Sequence, residues 1–264
     1  MVSMSINVSK ITLKHCWCSE TRSKVFKKGV WTAPDLEVDF QINSCKACGT
    51  LRLVSSSRGD TVDYEDMHVY SQALSQRHLN SIKIIKKFQN EGSMLDIGSS
   101  AGDMLKELKR LTPSLDVMGI DTNFRAAEVA KENGIEVKVQ TLNQIEGSFD
   151  NILSSHSLEH IADLESFFFD IKRISHKGTR LHLFVPNTKC LRAFVNIYKW
   201  GPLNPVQHCW HFDKKSLAKV IAHFLPNAKI IYMGDSWIWP VRVPFGSLVE
   251  KIFSGDQIDC VIEL

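Results

Sequence analysis

Two spacings of apolar residues alternate from about residue 73 onward. Short apolar runs, typical of buried strands, are separated by stretches such as Leu79, Ile82, Ile85 and Phe88, whose spacing is typical of one face of a helix. The runs predict strands at 93–97, 115–120, 135–139, 149–153, 180–185, 228–232 and 258–264. The helical spacing predicts helices at 103–111, 126–133, 164–175 and 214–224.

This alternation predicts an α/β fold, a Rossmann-like seven-stranded and mostly parallel sheet with helices on both faces. Local signals support the helix ends. Asp163 and Asp213 are placed to be N-caps, Gly134 follows the second of these helices as a C′ glycine, and the third is expected to end near Gly178. In such sheets ligands bind at the carboxyl ends of the strands, near the point where the strand order switches.

A candidate cofactor site lies where the strand at 93–97 gives way to a helix. Asp96 ends the strand, and the turn that follows contains Gly98, Ser99, Ser100 and Gly102. Glycines let a ligand approach the backbone, and the helix start offers free N–H groups for a carboxylate. An acid two residues before the first glycine indicates a ligand with a positive charge, which fits S-adenosylmethionine better than a dinucleotide.

A second acid, Asp121, ends the next predicted strand, 25 residues after Asp96. A carboxylate there can accept hydrogen bonds from both ribose hydroxyls of a nucleoside. The two glycines alone are also compatible with a tight turn in some other α/β protein. The ordered set of strand, acid, glycines, helix, strand and second acid favours the cofactor interpretation.

Residues 95–102 resemble the D-x-G-x-G-x-G motif of the class I S-adenosylmethionine-dependent methyltransferases, with Ser100 in place of the middle glycine. Residues 119–121 are similar to the second acidic motif of that family, and 149–161 to its FD-x-V…LEH segment. The resemblance covers 70–264. Its implied cofactor contacts beyond the turn and Asp121 are Thr122, Thr141, Leu142, Ser154 and Ser155, with Asn143 the nearest polar residue where the family often has an acid.

Four of the seven cysteines fall in the first fifty residues. Cys45 and Cys48 have the spacing of a zinc knuckle, and Cys16 and Cys18 offer the other half of a structural zinc site. His15 is the alternative to Cys16 as the fourth ligand. Four free thiols without a metal are the alternative to a zinc site. We therefore expect a zinc-ribbon-like segment at 1–60 before a methyltransferase domain at 61–264. This arrangement is similar to that of the sugar C-methyltransferases.

Histidines are the candidate bases for the methyl acceptor. Residues 207–213 resemble an E-H-x-x-Y-F-S segment of the sugar methyltransferases, in which His208 matches the base and Gln207 replaces the acid. His208 is the first candidate and His156 the second; a purely structural role for His208 and His211 is the alternative. The aromatic stretch 237–245 is expected to cover the acceptor, or else to be a core patch or dimer contact.

The composition limits the partners. The 264 residues are 44% hydrophobic with a net charge of +3, and no apolar run approaches a membrane span. Interspersed charges argue against a nucleic-acid partner, and the odd cysteine count indicates a reducing cytoplasm. We expect S-adenosylmethionine-dependent O- or C-methylation of a small molecule, such as a sugar or other polar metabolite. An RNA methyltransferase and an inactive binding module are the alternatives, and the oligomeric state is left open.

Overall fold

A computed structural model describes residues 15–33, 36–56, 74–197, 200–237 and 254–264. The strands are β1 (Ser23–Ala33), β2 (Leu36–Cys45), β3 (Leu51–Ser56), β4 (Ser93–Ile97), β5 (Asp116–Asp121), β6 (Val137–Val139), β7 (Phe149–Ser155), β8 (Ser175–Pro186), β9 (Trp210–His211), β10 (Lys229–Ser236) and β11 (Gln257–Glu263). The α-helices are α1 (Gln76–Phe88), α2 (Asp103–Leu111), α3 (Phe124–Glu132), α4 (Leu164–Arg173), α5 (Leu191–Val195) and α6 (Lys214–Phe224). Short 3-10 helices occupy Leu142–Gln144 and Leu158–His160. No helix in the described ranges is long and apolar enough to cross a membrane.

The larger sheet has seven strands in the order β10-β11-β8-β7-β4-β5-β6. From β6 to β8 the neighbours pair in parallel, and β11 runs antiparallel to both β8 and β10. The predicted seven-stranded, mostly parallel sheet is confirmed. The chain leaves β4 toward β5 and β6, then returns to the other side of β4 as β7. The strand order therefore switches between β4 and β7, and their carboxyl ends mark the expected ligand site.

Helices cover both faces because side chains alternate along each strand. Met94 of β4 packs on one face with a cluster that includes Ile85 of α1 and Leu105 of α2. Its neighbour Leu95 packs on the other, with residues of α4 and α6. The predicted helical face of α1 is correct at Ile82 and Ile85, which are buried, but Leu79 is 39% exposed.

The predicted helix ends are partly confirmed. The side chains of Asp163 and Asp213 accept hydrogen bonds from the third residue of α4 and α6, and Gly134 follows α3 with φ +73°. The expected end near Gly178 is wrong. Helix α4 stops at Arg173, and Gly178 lies inside β8, where its N–H donates to the carbonyl of Leu264. The strand was predicted from the apolar run at 180–185, but β8 already begins at Ser175, before that run.

A second, four-stranded sheet follows the order β1-β2-β3-β9. Strands β2 and β3 contain short apolar runs at 40–42 and 50–54, whereas β1 is more polar and β9 is only two residues long. Strand β9 comes from the region between β8 and α6, so its pairing with β3 connects the N-terminal strands to the part of the chain that forms the larger sheet. The expected domain boundary between residues 60 and 61 lies outside the described residues.

Candidate active site

The turn after β4 places backbone where a side chain would not fit. Gly98 has φ +74°, and a Cβ there would lie 2.4 Å from Oγ of Ser157. That hydroxyl donates to the carbonyl of Ile97 at 2.7 Å, so it holds the end of β4 against the loop after β7. Ser100 and Gly102 also have positive φ, at 50° and 73°. Gly102 precedes α2 without a side-chain cap, which leaves backbone N–H groups at the helix start available to a ligand.

Asp96 is buried at the carboxyl end of β4. It is 3% exposed, and its Oδ1 has no hydrogen-bond partner among the described residues. Burial, together with the negative charge of Asp121, raises the pKa of Asp96 to about 8. A buried carboxyl without a hydrogen-bond partner lowers the stability of the folded protein unless a ligand supplies that partner.

Asp121 lies at the carboxyl end of β5 and faces the same turn. Its two oxygens accept hydrogen bonds from the backbone N–H groups of Ser100 and Asn123, both at 2.9 Å. These bonds fix the carboxylate beside the glycine turn. Each oxygen keeps a further lone pair for a ligand hydroxyl.

Ser154 supplies another incomplete polar group at the switch point. It pairs with Ile97 across β4 and β7, is fully buried, and its Oγ has no hydrogen-bond partner within the described residues. In this register Ser154 lies on the same face of the sheet as Ile97, whereas Asp96 lies on the opposite face with Leu153. The unpaired carboxyl of Asp96 beside the glycine turn fits a ligand with a cationic group, as expected for the methionine part of S-adenosylmethionine.

The structure also describes the other expected cofactor residues. Ser99 is buried against Gly119, where an added Cβ would lie 2.3 Å from the Ser99 hydroxyl. Thr122 is exposed next to Asp121, while Ser155 is half-buried at the end of β7. Leu142 is half-buried in a 3-10 helix that follows the exposed Thr141. Their contacts with the cofactor remain predictions.

His156 begins the loop after β7 in a left-handed conformation, with φ +55°. Its Nε2 lies 2.7 Å from Oε1 of Gln257, the first residue of β11, and its Nδ1 lies 3.4 Å from Oε1 of Glu159. A positive φ is rare for a histidine and is tolerated where the surroundings hold the residue firmly. Gln257 had no sequence signal, because only the fold brings β11, which pairs with β8, close to the loop after β7.

His208 lies against the 3-10 helix that follows β7. Its ring and that of His160 meet edge to face with centroids 4.6 Å apart. Nitrogen atoms of these two histidines and a carboxylate oxygen of Glu159 all lie within 4.8 Å of one another. Burial lowers the pKa of His208 to about 3, which leaves a neutral imidazole. The two predicted bases, His156 and His208, thus both lie close to Glu159.

Helix α1 adds residues that the sequence did not indicate. Burial lowers the pKa of His78 to about 4, helped by the charges of Arg77 and His156, and the charge of Arg77 acts on Glu159. The first residue of the predicted cover, Trp237, ends the described segment that contains β10; the remainder, 238–245, lies outside the described residues.

The four N-terminal cysteines come together beside the second sheet, with Cys45 the last residue of β2 and the other three in the segments before β1 and before β3. Sγ of Cys16 is 3.4 Å from that of Cys48, Sγ of Cys18 is 3.6 Å from that of Cys45, and all four lie within 4.8 Å of one another. None of the seven cysteines, all of them in described segments, forms a disulfide. His15 is exposed and is not part of this set. Four sulfurs at these separations match the edges of a tetrahedral metal site.

Comparisons with known proteins agree with this geometry. Residues 69–224 match a family model described as a methyltransferase domain. Demethylmenaquinone methyltransferase of Thermotoga maritima is 27% identical over 184 residues, which covers 64% of this chain and 80% of that protein. Ribosomal protein L11 methyltransferase of Thermotoga petrophila is 33% identical over 112 residues, or 39% of this chain; the chain spans only 40% of that relative's length.

Solved structures share the fold at low identity. The plantazolicin methyltransferase BpumL, bound to a triazolic desmethylPZN analog and SAH, superposes with a TM-score of 0.55 at 13% identity, covering 75% of this chain and 87% of that one. A possible histamine N-methyltransferase of Thermotoga maritima gives 0.53 at 17% identity, covering 70% and 88%. The family match covers more than half of the chain, and the chain therefore belongs to this family of methyltransferase domains.

Proposed function

We propose that this protein transfers a methyl group from S-adenosylmethionine to a polar small molecule. The observation that carries the proposal is the pair of carboxyl groups at the switch point, with the buried Asp96 unpaired at Oδ1 and Asp121 fixed beside the glycine turn. Family membership and the cofactor-bound structural relatives support the same chemistry.

The cofactor would be held by groups that the chain already arranges. Asp96 would pair with the α-ammonium group, and the N–H groups at the start of α2 would bind the carboxylate. Asp121 would accept hydrogen bonds from the ribose hydroxyls, with Thr122, Leu142, Ser154 and Ser155 completing the pocket. When bound, the cofactor would supply the electrophilic methyl group for the transfer.

The histidines around Glu159 would receive the acceptor. His156 is the first side chain after β7, and Gln257 fixes the direction of its ring. An acceptor hydroxyl or activated carbon must lose a proton, and His156 and His208 are both within the cluster that could remove it. His208 either takes that proton itself or acts through a bound cation, and a metal-binding measurement separates these roles.

We also propose that Cys16, Cys18, Cys45 and Cys48 bind a structural zinc ion. The separations among their sulfurs support a site in which four thiolates fill every coordination position. The zinc-ribbon-like segment, its similarity to sugar C-methyltransferases, and a cytoplasmic location remain predictions.

Methyl transfer can be tested with labelled cofactor. The full chain is incubated with S-adenosylmethionine labelled in its methyl group and, separately, with a deproteinised metabolite extract, total RNA or total protein. The proposal expects label in small molecules, and less with the Asp121→Ala variant. Label confined to RNA or protein would contradict the acceptor class, and cofactor binding without transfer to any pool would favour the inactive binding module.

A further inference from the structure

A compact group of metal-binding side chains lies outside the cysteine cluster. One ligand atom from each of Glu159, His160 and His208 lies within 4.8 Å of the other two. Glu159 and His208 are 1% and 9% exposed. Two imidazoles and one carboxylate form a donor set that suits divalent cations of the first transition series.

Glu159 is an incomplete polar group in its present surroundings. Neither of its carboxylate oxygens has a hydrogen-bond partner within the described residues, and Nδ1 of His208 has none either. Nδ1 of His156 lies 3.4 Å from Oε1 of Glu159, and the charge of Arg77 also acts on this carboxylate. A metal ion would bind Glu159, His160 and His208 at once.

Backbone contacts fix the relative position of the two segments that carry these side chains. The N–H of Cys209 donates to the carbonyl of Glu159 at 2.8 Å, and Nε1 of Trp210 donates to that of Ile161 at 2.9 Å. Cys209, which follows His208, is thus hydrogen-bonded to Glu159, which precedes His160. A site held together by hydrogen bonds to main-chain carbonyls is preorganised, as metal ligands must be.

We propose that Glu159, His160 and His208 bind a divalent transition-metal cation, and that this cation holds a hydroxyl group of the methyl acceptor. Three protein ligands leave at least one coordination position open, which is the pattern of catalytic rather than structural metal sites. The cation would bind the acceptor oxygen and lower the pKa of its hydroxyl. The second half of this inference rests on the proposed function, because the acceptor is placed by the methyl-transfer site.

Mn²⁺ binding to the zinc-loaded, full-length protein tests the site directly. In this protein zinc already occupies the four thiolates, and Mn²⁺ binds thiolates poorly, so Mn²⁺ should not bind there. Electron paramagnetic resonance measures the concentration of free Mn²⁺, and the bound amount follows by difference. We expect one additional Mn²⁺ per chain, and at least ~10-fold weaker binding by the Glu159→Gln and His208→Asn variants. The His176→Ala variant is the matched control, since His176 is an exposed histidine that contacts Asp150 at the other end of β7.

Co²⁺ gives a readout that needs no variant. In the zinc-loaded wild type it is expected to show a visible absorption without a thiolate charge-transfer band. A thiolate band, no Mn²⁺ or Co²⁺ binding at millimolar concentration, or unchanged binding in a variant that still binds S-adenosylmethionine would overturn the site. Failure of the wild type to bind S-adenosylmethionine would instead overturn the proposed function, and the Mn²⁺ measurement would still stand.

Discussion

At the scale of single residues, the proposed cofactor site contains a carboxyl group that lowers stability in the absence of ligand. Asp96 has an unsatisfied oxygen in the core, and burial followed by the charge of Asp121 raises its pKa to about 8. In the unfolded chain this carboxyl ionises near its ordinary value. Between about pH 4 and pH 8 the folded state therefore holds a proton that the unfolded state has lost, and the contribution of Asp96 to stability falls as the pH rises.

Replacing Asp96 with Asn removes that pH-dependent cost. We expect the Asp96→Asn variant to have a free energy of unfolding at pH 7 that is higher by ~3 kcal/mol without ligand, and the difference to vanish near pH 4. Its affinity for S-adenosylmethionine should fall about 10- to 100-fold, because an amide cannot pair with the ammonium group. Urea unfolding and calorimetry measure the two effects.

The control is Asp116→Asn, at the exposed start of β5. Neither its stability nor its cofactor affinity should change appreciably. A free energy of unfolding for Asp96→Asn that follows the same pH dependence as the wild type would show that Asp96 is already ionised in the folded protein.

Gly98 is a second residue whose replacement has a local physical consequence. Gly98→Ala combines a positive φ with a Cβ 2.4 Å from the Ser157 hydroxyl, whereas Gly134→Ala has nearly the same φ and open space. We expect both variants to lose about 1 kcal/mol from backbone strain, and Gly98→Ala to lose a further 1–3 kcal/mol, roughly, with weaker cofactor binding. If urea unfolding shows that both variants lose the same free energy of unfolding, the Ser157 side chain moves away from the added Cβ at no cost.

At the scale of elements, the segment from His208 to His211 joins parts that are distant in sequence. It pairs with β3, donates to the 3-10 helix after β7, and leads into α6. We expect Trp210→Phe, which leaves the Ile161 carbonyl without its partner, to lower stability by ~1–2 kcal/mol. Turnover should fall more than affinity for S-adenosylmethionine, because His208 shifts while the β4 turn does not.

Steady-state kinetics and cofactor calorimetry on this variant separate the two sites. If Trp210→Phe lowers turnover and affinity for S-adenosylmethionine by the same factor, the segment does not position His208.

Elements with strong local signals could be predicted from the sequence, and those defined by distant pairing could not. The β4 turn was found because a buried strand, two acids and two glycines follow one another within 25 residues. Gln257 and Arg77 were missed, since only the sheet order and the position of α1 bring them to His156 and Glu159. No pattern at the positions of Glu159 and His160 in the sequence indicates that His208 would meet them.

At the scale of the whole molecule, the segment with the cysteine cluster packs directly against the methyltransferase domain. Trp17 packs against His223 and Phe224 of α6, and Nζ of Lys219 donates to the carbonyl of Ala47. The same small sheet ends in β9, two residues beyond His208. A metal at the cysteines would therefore support the acceptor side of the catalytic domain.

Removing that metal should affect the acceptor side first. We expect treatment with a strong chelator, or the Cys45→Ser substitution, to lower the thermal midpoint and the turnover number. Affinity for S-adenosylmethionine should change little, because its pocket is built from β4, β5 and β7. Elemental analysis that finds no zinc in protein purified without chelator would remove the structural-zinc proposal.

Calorimetric titration of the full chain with S-adenosylmethionine tests the account most directly, since the rest depends on the carboxyl pair at the switch point. We expect one binding site per chain, an affinity that increases as the pH rises toward 8, and binding weakened at least ~10-fold by Asp121→Ala. No heat of binding at millimolar ligand, or an Asp121→Ala variant with wild-type affinity, would contradict it.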